Sequence, residues 1–147
     1  MKSLFDAEAF SEIKTRIDNL SEASEKQWGK MTHGQMLHHC QGPFNIMLEK
    51  NDYGMKPNWM AKLFFKKLLY NDKPWRKNLP TAKFLKETEA RNFEKERLDL
   101  VKLLDEFEAQ KDRTDWKPHP AFGHFTRLQW GQMQYKHLDH HLRQFGV

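Results

Sequence analysis

Three of the eight histidines in this 147-residue chain fall where one divalent metal ion could be held. His137 and His141 are four residues apart in a run free of glycine and proline. On a helix, at about 100° per residue, that spacing stacks both imidazoles on one side, a turn apart. Trp130, Gln134, His137 and His141 share a narrow sector, with Met133 and Gln144 beside it, and Leu138, Phe145, Leu142 and Tyr135 continue it as an apolar arc. Both histidines therefore stand at the margin of a buried face, while His140 points away from them.

The third ligand has two neighbouring candidates, His38 and His39. The apolar arc of their helix is centred on Met36, Cys40, Pro43 and Met47, with His39 at its edge and His38 nearly opposite. The expected metal ligands are His39, His137 and His141. Imidazole suits zinc, nickel, copper or iron, and three protein ligands leave open positions, as catalytic sites do. An open position can hold a water of lowered pKa, which leads to hydrolysis, or a thiolate, which leads to thiol transfer to an electrophile. With its remaining positions closed, the same ion is a structural clip in a non-catalytic protein that binds a partner or ligand.

Other polar groups are less informative. Asp139, Gln134, Gln144 and His119 could support the ligands or carry a proton, and spacing assigns a role to none of them. His119 and His124 read as part of a surface turn stiffened by Pro118 and Pro120. Cys40 is the only cysteine, which rules out an internal disulfide and a cysteine-based zinc cage. Its place in the apolar arc reads as a small core residue.

Helices must position these groups. Phe10, Ile13, Ile17 and Leu20 recur at helical steps, which predicts a first helix over 5–20. Thr32 and Gln35 form a Thr-x-x-Gln capping box, so the second helix starts there and runs to about Glu49, bent at Pro43. A short third helix is expected over 58–70. Beyond a loop punctuated by Pro74 and Pro80, the stripe of Phe93, Leu100, Leu104 and Phe107 predicts a fourth over 86–108, with Glu87 and Arg91 as an ion pair on its outer face. A second capping box, Thr126 with Gln129, opens the last helix, which ends near Phe145. Amphipathic helices without strand patterns imply an all-α, single-domain four-helix bundle over 1–147.

Nine lysines and arginines lie between Lys56 and Lys86 against Asp72 alone, so this stretch carries +8 and the remainder −3. It reads as a solvated surface and not as a nucleic-acid site, because no reading motif accompanies it. No apolar run reaches the roughly 20 residues that cross a bilayer, and the opening ten residues lack a signal-peptide pattern. The expectation is a cytoplasmic protein with no membrane partner.

The segment from Lys136 to Gly146, which contains His137, His140 and His141, resembles the last helix of the DinB-like superfamily of metal-binding four-helix bundles. So do Trp28-Gly29-Lys30-Met31-Thr32, Gln35-Met36-Leu37 and His38-His39-Cys40. Asn78 to Ala82 and His119 to Gly123 are similar to segments of a branch of unknown function. The resemblance spans nearly the whole chain. It implies an up-down-down-up bundle, often a homodimer, with zinc, nickel or a similar ion at one end. The superfamily's ligands map onto His39, His137 and His141. Relatives of known activity imply a low-molecular-weight thiol or another small molecule as substrate.

Overall fold

Both capping boxes form. Thr32 Oγ1 accepts from Gln35 N–H while Gln35 Oε1 accepts from Thr32 N–H, and Thr126 and Gln129 do the same. In the computed structural model, which describes residues 1–79 and 85–147, these boxes open α2 (His33–Met47) and α6 (Arg127–Gln144). Before them comes α1 (Ala7–Asn19); between them lie α3 (Trp59–Phe64), α4 (Lys66–Tyr70) and α5 (Phe93–Ala109). The described residues form an all-helical fold without a named strand. Pro80, Thr81, Ala82 and Lys83, used in the loop, family-motif and charge readings, lie outside them.

The core is where the helical periodicities put it. Ile13 and Ile17 of α1, Met36, Cys40 and Phe44 of α2, Leu100, Leu104 and Phe107 of α5, and Leu138 and Leu142 of α6 are buried together. α2 is the central helix, packed on α5 and α6 and buried nearly all round. Pro43 removes the amide that would bond the carbonyl of His39. Gln134 of α6 donates to the carbonyl of Pro43 itself, at 3.0 Å, tying the two helices together at this point. Gln41 does the same for α5, donating to Glu96 Oε2 at 2.8 Å.

Two expected elements differ. The third helix is divided at Phe65, where Leu68 N–H bonds back three residues to the Phe65 carbonyl at 3.0 Å. The fourth does not begin near Lys86. Asn92 caps it at Lys95 N–H, and α5 starts at Phe93. The preceding segment is committed to α2 instead: Gln35 donates to the Glu89 carbonyl at 2.9 Å, and the Arg91 carbonyl packs so closely on Gly34 that a Cβ there would collide with it. Glu87 and Arg91 still pair, at 3.1 Å, but off the helix, and Glu87 also meets His38.

Candidate metal centre

His39, His137 and His141 converge between α2 and α6, with a ligand nitrogen of each lying within 4.8 Å of the others. All three are buried, at 5, 6 and 8% exposure. Their environment keeps them neutral. Burial is the main cause in each case: it lowers the pKa of His39, drives His137 well below the ordinary 6.5, and takes His141 to about 3. The neighbouring imidazoles add to the effect at His137 and His141.

Hydrogen bonds set the tautomers. His39 Nδ1 lies 2.9 Å from the Leu85 carbonyl, which can only accept, so Nδ1 carries the proton and Nε2 a free lone pair. His141 Nδ1 lies 3.0 Å from Gln144 Oε1, while the amide of Gln144 donates to the Trp28 carbonyl at 2.9 Å. That second bond orients the side chain and leaves its oxygen to accept from His141. His141 Nε2 is therefore also free of its proton. His137 Nε2 stands 3.0 Å from His39 Nε2, and its Nδ1 is buried without a partner among the described residues. The donor set is what a divalent transition ion takes: neutral imidazoles, two of them held through the far ring nitrogen.

Residues around the trio explain its shape. Gly29, at φ 83°, gives way to the amide of Gln144, with which a Cβ would overlap. Trp75 packs edge-on against His137 and His140, with ring centroids 5.8 and 5.6 Å away. Its indole N–H donates to the Leu68 carbonyl at 2.8 Å. Lys136 donates to the same carbonyl at 2.7 Å and to both oxygens of Asn71, fastening the end of α4 over α6. Burial lowers the pKa of this ammonium to about 8.

The other sequence candidates are placed elsewhere. His38 bonds through Nδ1 to Glu87 at 2.7 Å, and His140 is half-buried between Trp28 and Trp75. Asp139 pairs with Arg16 at 2.9 Å, joining α6 to α1, and Gln134 belongs to the core. Cys40 is fully buried, which pushes its thiol pKa above the useful range. His119 corrects the surface-turn reading. It is buried, its ring stacks 5.8 Å from Trp130, and its Nδ1 accepts from the Ala121 and Phe122 amides. Its turn folds inward because those amides find their acceptor in the imidazole. His124 is exposed as expected.

Spacing did not disclose the Leu85 carbonyl, a backbone group far from His39 in sequence, or the two tryptophans. Gln144, three residues beyond His141, carried a legible signal because it shares that helix face.

An all-helical chain with a buried cluster of three neutral histidines is the class that fold and site define. The chain belongs to the family described as "Protein of unknown function (DUF1569)", whose model matches residues 2–146. Comparison with curated proteins and with solved structures finds no match.

Proposed function

We propose that this protein is a DinB-like bundle of up-down-down-up topology that holds one divalent ion, zinc or nickel, through His39, His137 and His141. The observation that carries the reading is the pair of bonds from His39 Nδ1 to Leu85 and from His141 Nδ1 to Gln144, which turn two Nε2 lone pairs toward the nitrogen of His137. Burial alone would not favour three imidazoles packed in contact without a shared ligand.

The proposed activity is a metal-dependent thiol transfer or hydrolysis on a small molecule. When bound, the ion supplies a Lewis acid with positions beyond its three protein ligands. The chain's own residues do the rest. Leu85 and Gln144 orient the imidazoles, and the ring of Trp75 covers His137 and restricts water. The same covering favours a second reading, in which the ion is a structural clip and the site turns nothing over.

Elemental analysis of untagged protein tests the binding. About one equivalent of metal per chain is expected, against none in a variant carrying alanine at all three histidines. Screening the loaded protein with thiols and electrophiles, and with hydrolysable esters and amides, separates the two readings. Metal at full stoichiometry that raises thermal stability, without turnover, supports the clip. Absence of metal after reconstitution with either ion overturns both.

A further inference from the structure

α3 and α4 are turned inside out. Trp59, Leu63 and Phe64 are 73, 67 and 62% exposed, and Met60, Phe65 and Leu68 stand out beside them. Cations of the same segment face the body: Lys66 bonds to the His124 carbonyl and lies 4.6 Å above the Phe125 ring, and Lys62 reaches Gly123. A surface helix ordinarily puts its apolar stripe on the core and its charges in water. Here no residue of either helix is buried. Six large apolar side chains clustered within ten residues form a patch of the kind that marks an interaction surface.

Cations dominate the charge around the patch, and the one carboxylate beside it, Asp72, is paired with the N-terminal ammonium. Lys56, Lys67, Lys73 and Arg76 are exposed, and none of them is ion-paired among the described residues. Cations elsewhere are mostly matched, as Lys14 is with Asp105, Lys50 with Glu106 and Lys95 with Asp99.

We propose that this face, α3 and α4 with their flanking lysines, docks on the anionic surface of a lipid bilayer. Exposed Trp, Phe and Leu set among lysines are what a segment lying in the headgroup region presents. The aromatic side chains would enter the acyl boundary while the unpaired cations meet lipid phosphates and carboxylates. A second copy fits less well. A two-fold contact sets a patch against its own copy, so a surface dominated by cations would face another of the same sign. A stable protein interface also draws on roughly 20–30 residues a side, far more than this ridge offers. No helix among the described residues is long and apolar enough to cross a membrane, so the docking is peripheral. The inference revises the expectation of no membrane partner, and it is independent of the metal reading.

Vesicle co-sedimentation of the full chain tests it, using phosphatidylcholine vesicles with and without phosphatidylserine. Binding to the phosphatidylserine vesicles is expected, at least roughly tenfold tighter than to phosphatidylcholine alone and weakened by salt. Trp59→Ser, Leu63→Ser and Phe64→Ser together should abolish it, with circular dichroism unchanged because these side chains leave the core untouched. Lys67→Glu with Lys73→Glu should weaken it without altering the apolar patch. Equal binding to both vesicle types, no binding by folded wild-type protein, or full binding by the triple serine variant would overturn the proposal. So would a wild-type dimer in sedimentation equilibrium that the triple variant converts to monomer, which assigns the face to a second copy.

Discussion

His39 Nε2 lies 3.0 Å from His137 Nε2, and only one of the two nitrogens can carry the proton between them. The proton of neutral His39 is already on Nδ1, facing Leu85, so in the metal-free protein His137 donates through Nε2. Metal ligation through the same nitrogen requires the tautomer with hydrogen on Nδ1. Nitrogen-15 spectra of the imidazoles should show His137 alone changing tautomer on zinc addition, with His39 and His141 keeping hydrogen on Nδ1. A metal-free His137 already protonated at Nδ1 would contradict the assignment.

Neighbouring residues should behave differently. His39→Ala, His137→Ala and His141→Ala should each leave little metal after extensive dialysis. His38→Ala and His140→Ala should retain it near wild-type stoichiometry, because His38 is engaged by Glu87 and His140 stands outside the cluster. Metal content of all five variants decides the matter. A site emptied by His38→Ala but not by His39→Ala is incompatible with the α2 register.

Gln144 holds His141 by its far nitrogen, so Gln144→Leu should weaken metal affinity by about 10- to 100-fold while sparing stoichiometry at saturation. Gly29→Ala, whose Cβ overlaps that amide, should move affinity in the same direction. Competition with a chromophoric chelator measures both. Unchanged affinity in the two variants would show that His141 needs no such support.

His119 gives a pH dependence away from the metal cluster. Burial lowers its pKa from 6.5 to about 4, with Lys66 adding to the effect. Well above pH 6.5 neither folded nor unfolded chain is protonated there. As pH falls from 6.5 toward 4 the unfolded chain takes up a proton that the folded chain refuses, and stability is lost, by up to about 3 kcal/mol. His119→Asn keeps an acceptor for the turn amides but does not titrate. Urea denaturation of metal-free wild-type and variant at neutral and acidic pH should show a smaller acid loss in the variant. Parallel losses would place the effect elsewhere.

Gly34 lets α2 close on the Arg91 carbonyl, and neither partner is the end of a flexible side chain. Gly34→Ala should therefore cost about 1–3 kcal/mol of stability despite its gain in helix propensity. Chemical denaturation reads the cost directly, and a gain in stability would show that the backbones can separate.

Much of this protein is legible in its sequence, because the signals concerned are local. A capping box spans four residues, so α2 and α6 begin where Thr32 and Thr126 place them. A helix fixes the direction of every side chain by its position, so the convergence of His39 with His137 and His141, and the exclusion of His38 and His140, follow from register. Tertiary structure decided what no register contains. The start of α5 was set by backbone contacts that Gln35 and Gly34 make across the fold, and the tautomer of His39 by a carbonyl 46 residues away. The inward turn of His119 and the outward face of α3 and α4 depend on which surfaces meet. Hydrophobic burial is a property of two packed surfaces, and a sequence pattern specifies only one of them at a time.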